Sequence, residues 1–163
     1  MKTAIIYYSM SGNTKYTAEK IAESLGITDA DIIRISPEKS YPDKGAKKFL
    51  WGGKSAVMGE KPKLNTYDFN TDKYQRIIIG TPVWASTFVP LIRTFIDENP
   101  DINKKQVAVF TCFSGGGAEK AIEKLRKKLN IERFEAELIL VDPKDNAKED
   151  DELKIQKFCR TLA

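Results

Sequence analysis

Five short runs of Ile, Val, Leu and aromatic residues punctuate the chain, at Thr3 to Tyr8, Asp31 to Ile35, Arg76 to Gly80, Gln106 to Thr111 and Ala136 to Val141. Each alternates only weakly between apolar and polar positions, which predicts strands covered on both faces. The intervening segments switch to helical spacing. Thr14, Ala18, Ile21, Ala22 and Leu25 fall on one face of a helix, and Gly26 stands where a C-terminal cap belongs. Phe88, Leu91, Ile92, Phe95 and Ile96 form a second stripe, closed by Asn99-Pro100. Ala118, Ala121, Ile122, Leu125 and Leu129 form a third, with Glu123 and Lys127 spaced for an ion pair. Ile155, Phe158, Cys159 and Leu162 form a last one. Residues 44–58 fit neither template, because Phe49, Leu50, Trp51 and Val57 are interrupted by Gly52-Gly53.

Strand followed by helix, five times over, predicts an α/β fold: a doubly wound, five-stranded parallel sheet with helices on both faces. No repeat, low-complexity tract or linker divides the chain, so a single domain over residues 1–163 is expected. In such sheets ligands bind beyond the carboxyl ends of the strands, near the point where strand order reverses. The loops that follow the strands are therefore where chemistry is expected.

Composition narrows that chemistry. The 163 residues include no histidine and two cysteines. Without imidazole, a Ser-His-Asp or Cys-His nucleophile and a histidine-dependent zinc site are excluded. Cys112 and Cys159 make no disulfide framework. The apolar stretch at the start is too short for a signal h-region and no window reaches a transmembrane length, so a cytoplasmic protein without membrane attachment is expected. The net charge of +4 is concentrated in residues 36–63, where seven lysines (39, 44, 47, 48, 54, 61 and 63) face Glu38, Asp43 and Glu60. A solvated lysine-rich surface accounts for this, and no nucleic-acid motif accompanies it, so no nucleic-acid partner is expected.

Three loops carry candidate chemistry. The first strand runs into Ser9-Met10-Ser11-Gly12-Asn13-Thr14, at the start of a predicted helix. Free backbone N–H groups, the positive end of the helix dipole and several hydroxyls make an anion site. It is neither a Walker A loop nor G-x-G-x-x-G. Taken alone, it reads equally as an N-cap cluster that binds nothing. After the third strand, Pro82-Val83-Trp84-Ala85-Ser86 places a tryptophan where it either covers a flat ligand or packs on its neighbours. After the fourth, Cys112-Phe113-Ser114-Gly115-Gly116-Gly117 offers backbone groups unobstructed by side chains, or simply a flexible turn. Cys112 itself reads better as a small buried residue than as a redox thiol.

With these three loops at adjacent strand ends, the sequence resembles the flavodoxin family, short-chain type, across essentially its whole length. The resemblance implies a 2-1-3-4-5 sheet and non-covalently bound FMN. It assigns the FMN phosphate to Ser9, Met10 (through its N–H), Ser11, Gly12, Asn13 and Thr14. It assigns the ribityl chain and the inner ring face to Pro82, Val83, Trp84, Ala85 and Ser86. The pyrimidine edge falls to Cys112, Phe113, Ser114, Gly115, Gly116 and Gly117. The sequence departs from the family at three points. Ala85 stands where glycine usually permits a peptide flip toward the reduced ring, and an L-residue at positive φ costs about 1–2 kcal/mol. The outer stacking tyrosine is replaced by Ser114 to Gly117, leaving one ring face open or covered by Trp51 or Tyr41. The strong negative charge usual in electron carriers is missing. Two redox roles thus stand side by side: an electron-transfer protein serving a redox partner protein or small acceptor, and an FMN-dependent NAD(P)H reductase of quinones, nitro or azo compounds. A third, non-enzymatic role would use segment 36–63 to bind a partner.

Overall fold

The computed structural model, which describes residues 1–26, 29–41 and 53–163, places the five apolar runs side by side as parallel strands. In chain order the strands are β1 (Thr3–Tyr7), β2 (Ala30–Arg34), β3 (Arg76–Trp84), β4 (Thr87–Phe88), β5 (Gln106–Phe113) and β6 (Glu137–Val141). The sheet runs β2-β1-β3-β5-β6, with the two-residue β4 antiparallel to the end of β3. Setting β4 aside, this is the 2-1-3-4-5 order that the resemblance implied. The helices are α1 (Asn13–Leu25), α2 (Pro90–Glu98), α3 (Ala118–Leu129) and α4 (Asp151–Leu162). Residues 53–57 are also helical.

The weak alternation of the strands has its cause in two separate cores. Ile6, Ile77, Ile79, Val107 and Val109 face α2 and α3 through Leu91, Ile92, Phe95, Ile122 and Leu125. Ile5, Ile78, Ala108, Phe110 and Leu138 face α1 and α4 through Ala18, Ile21, Ile155 and Phe158. Every residue of β1 is buried, whereas edge strand β2 alternates between buried, half-buried and exposed positions. Each fully buried Ile or Leu contributes about 1.5–3 kcal/mol over its exposed state, so the central strands are fixed most firmly. At the amino end of the sheet, Arg76 forks onto both oxygens of Glu135, each at 2.7 Å.

At Gly80 the sheet has no room for a side chain. A Cβ there would lie 2.2 Å from Cζ of Phe110, whose ring crosses the strand at that point. This contact lies level with Tyr7, the last residue of β1.

Two strands run farther than their hydropathy indicated. β3 continues from Gly80 to Trp84 and β5 from Thr111 to Phe113. Pro82 made the first extension hard to see. It is tolerated because β1 ends beside Gly80, so β3 has lost one neighbour where the missing N–H falls. Phe88 has helical spacing relative to Leu91, Ile92 and Phe95, yet it lies in β4. The helix begins at Pro90, which serves as a first-turn residue. The hydroxyl of Thr81 fastens that junction, accepting the Val89 N–H at 3.1 Å and donating to the Pro82 carbonyl at 2.8 Å.

Candidate functional site

The three predicted loops converge at the carboxyl edge of the sheet, around the β1/β3 boundary where strand order reverses. A fourth, between β6 and α4, joins them and had no signal in the sequence pattern.

The first loop forms a cradle of backbone donors at the start of α1. Gly12 caps α1 at φ 100°, a left-handed conformation that favours glycine. Its N–H bonds to the hydroxyl of buried Ser9 at 3.1 Å, closing the loop. The first bond of the helix proper runs from the Tyr16 N–H to the Gly12 carbonyl at 2.9 Å. The N–H groups of Asn13, Thr14 and Lys15 precede it and have no intrahelical acceptor, so they lie free at the positive end of the helix dipole. Met10 is half-buried and Ser11 exposed. The guanidinium of Arg34 donates to the Ser9 carbonyl at 3.3 Å from the back of the loop.

Asn13 does more than its backbone. Its side chain is 6% exposed overall and is spent on other loops. The amide oxygen accepts the Lys144 N–H at 2.9 Å, and Nδ2 donates to Asp145 at 3.1 Å and to Ser11 at 3.3 Å. The β6–α4 loop is thereby fixed to the cradle. Asp142, at φ 44°, begins that loop; its N–H bonds the Phe113 carbonyl and its carboxylate accepts from the Ser114 hydroxyl at 2.8 Å.

The second loop is a tight hairpin. Val83 pairs with Phe88 and Trp84 with Thr87, leaving Ala85 and Ser86 as a two-residue turn at φ 49° and 56°. Both angles are positive, which marks a type I′ turn made here without glycine or asparagine. Trp84 is half-buried, with its ring edge-on to Tyr8 (5.8 Å) and to Tyr41 (5.3 Å). Burial pushes the Tyr8 phenol up to about 12 and also raises that of Tyr41. Trp51, the other residue weighed as a ring cover, lies outside the described residues, as do Lys44, Lys47 and Lys48 of the basic segment. Lys61 of that segment is engaged by Asp97 at 2.7 Å.

The third loop divides in two. Cys112 and Phe113 belong to β5, and the Cys112 thiol turns away from the loop into the core beneath α1, 3.3 Å from the Thr17 hydroxyl. Burial pushes this thiol up to about 12, although the hydroxyls of Thr17 and Thr14 pull the other way. Ser114, Gly115 and Gly116 are exposed, and a Cβ on either glycine would meet nothing within 4 Å. Gly117 is different. It caps α3 at φ 84°, and a Cβ would lie 2.2 Å from the Ser86 Oγ and 2.9 Å from the Ser86 Cα. The hairpin tip and the third loop are in direct contact there.

A parallel α/β sheet with a donor-lined cradle after β1, an aromatic hairpin after β3 and an open glycine-rich loop after β5 defines a flavodoxin-type architecture. The family model described as flavodoxin matches residues 2–150, and the chain belongs to the flavodoxin family. A flavoprotein from Lactobacillus acidophilus NCFM, solved in complex with FMN, is 25% identical with a TM-score of 0.69, over 87% of this chain and 93% of that one. A Bacteroides eggerthii protein provisionally described as a flavoprotein is 21% identical with a TM-score of 0.75, over 99% and 97%. The two-electron-reduced flavodoxin of Megasphaera elsdenii is 19% identical with a TM-score of 0.59, over 98% and 99%. Comparison with curated proteins finds no match. No helix among the described residues is long and apolar enough to cross a membrane.

Proposed function

We propose that the chain binds FMN at the carboxyl edge of the sheet and transfers electrons through it. The observation that carries this reading is the cradle: left-handed Gly12 and three free N–H groups at a helix start, beside a half-buried tryptophan and an open glycine loop. The residues fit the group. The N–H groups of Asn13, Thr14 and Lys15, with the hydroxyls of Ser9, Ser11 and Thr14, would hold the phosphate. Pro82 to Ser86 would take the ribityl chain and one ring face, and the backbone of Phe113 to Gly117 the pyrimidine edge, where donors and an acceptor are needed. Cys112 would contribute its backbone only. When bound, FMN supplies one- and two-electron chemistry, while the protein supplies position and electrostatics.

A second reading, an NAD(P)H-dependent reductase of quinones, nitro or azo compounds, is favoured by the same geometry at two points. Exposed Ser114, Gly115 and Gly116 bring no aromatic side chain over the outer face, so among the described residues this loop leaves a substrate room to stack. The Ala85-Ser86 turn is locked. Flipping its central peptide would convert type I′ to II′, in which the first position demands glycine. Ala85 already sits at positive φ, so the obstacle lies in the flipped form and not in reaching positive φ.

The deciding experiment is purification followed by anaerobic titration. The protein should be yellow and release FMN and not FAD. Rapid bleaching by NADH or NADPH identifies a reductase, and indifference to both identifies a carrier serving a separate donor. A colourless protein that fails to take up added FMN ends both readings.

A further inference from the structure

The geometry points to Lys144 as a cationic ligand of the FMN phosphate, delivered from the β6–α4 loop and held over the cradle by Asn13. This rests on the FMN reading above and adds to it a residue that lies 132 positions from Gly12 and outside the three loops.

A phosphate carries close to two negative charges at neutral pH. Neutral N–H groups and a helix dipole can hold it, but a nearby ammonium adds an attraction that neutral donors lack. The Lys144 ammonium lies 3.2 Å from where a Cβ on Gly12 would be, so the cation rests directly on the glycine that caps the cradle. Glycine at position 12 is required by its φ of 100°, and the lysine tip lies against its bare Cα.

The lysine is also placed, and not merely nearby. Its own N–H is bonded to the buried Asn13 amide oxygen, and Asn13 grips the next residue, Asp145, through Nδ2. Two bonds from one side chain thus set where the Lys144 backbone sits relative to the first turn of α1. Its side chain is half exposed and its ammonium lies 3.7 Å from the Asp145 carboxylate, a loose pair in water. Such pairs are worth little, so the lysine can swing to a stronger anion at small cost. Among the described residues, Asp145 opposes a phosphate at Lys144, Asp142 of the same loop is engaged by the Ser114 hydroxyl, and Arg34 is engaged by the Ser9 carbonyl from behind.

Opposite outcomes are expected for the two neighbours. Dissociation constants for FMN and riboflavin are measured by flavin fluorescence at low and high ionic strength, for the wild type and for Lys144→Gln, Lys144→Arg and Asp145→Asn. Lys144→Gln should weaken FMN about fivefold at low salt, the scale of a partly exposed ion pair. Riboflavin should be unaffected, and the deficit should close as salt shortens the screening length to about 3 Å near 1 M. Lys144→Arg should restore FMN affinity. Asp145→Asn, which keeps an oxygen for Asn13, should tighten FMN. Unchanged FMN affinity in Lys144→Gln, or equal losses for both flavins, overturns the inference while leaving the FMN reading intact. Failure of the wild type to bind FMN overturns both.

Discussion

A thiol buried between a sheet and a helix is a weak acid that folding makes weaker. Cys112 moves from an ordinary value of 9.0 to about 12 because burial penalises its thiolate. The folded chain thus holds that proton more tightly than the unfolded chain does. The stability this represents is complete below pH 9 and is lost as pH climbs toward 12. Tyr8, Tyr67 and Tyr74, each pushed from 10.0 to about 12 mainly by burial, act in the same direction above pH 10. The denaturation midpoint should therefore fall steadily from pH 9 upward when followed by circular dichroism. Cys112→Ala, although less stable overall, should show a flatter profile between pH 9 and 10; identical slopes would contradict the assignment. A second residue-scale expectation concerns Thr14, which is 2% exposed at the start of α1. Thr14→Val should weaken FMN and spare riboflavin in the same fluorescence titration, since its hydroxyl is assigned to the phosphate.

At the scale of elements, the β3–β4 hairpin and the third loop behave as one unit because Gly117 rests on Ser86. Gly117→Ala would drive a Cβ to 2.9 Å from the Ser86 backbone at a φ of 84°. A loss of about 1–3 kcal/mol is expected from the overpacking, with weaker FMN binding as the hairpin tip shifts. Denaturant unfolding and flavin titration read the two effects separately. Ser86→Gly should do the reverse to stability, relieving a left-handed L-residue and raising the unfolding free energy by about 0.5–1 kcal/mol. The hairpin also shows why part of the site was hidden from sequence. The runs at Thr3 and Arg76 carry enough consecutive apolar residues to mark themselves as buried strands. Thr81-Pro82-Val83-Trp84 does not, because proline argues against a strand unless a neighbouring strand is known to stop. Ala85-Ser86 carries no turn signature either. Its conformation is imposed by the pairing of Val83 with Phe88 and by the anchor from Thr81 to Val89.

For the whole molecule, the sheet brings together loops more than 100 residues apart, and legibility followed sequence distance. The cradle could be read because Ser9 to Lys15 carries its donors in seven consecutive residues. Lys144 and Asp145 could not, since nothing in their local sequence indicates a pairing with Asn13. Cys112 was visible, but strand parity alone sent its thiol into the core under α1. Because the four loops meet only in the folded chain, bound FMN should stabilise the entire fold and not one loop. At a hundredfold excess of FMN over its dissociation constant, the unfolding free energy should rise by about 2.7 kcal/mol. A melting temperature indifferent to FMN would show that the loops do not form a common site.

The two bonds between Asn13 and the β6–α4 loop bear on any attempt to transplant this site. Moving residues 9–14 alone onto another parallel sheet would carry along a buried carboxamide whose oxygen and one amide hydrogen had found their partners at Lys144 and Asp145. An unpaired buried amide costs about 1–3 kcal/mol, enough to open the recipient's first turn and spoil the row of N–H groups it was meant to import. The portable unit is therefore two separated stretches of chain, and a host sheet would need a loop at the right strand end to receive the second.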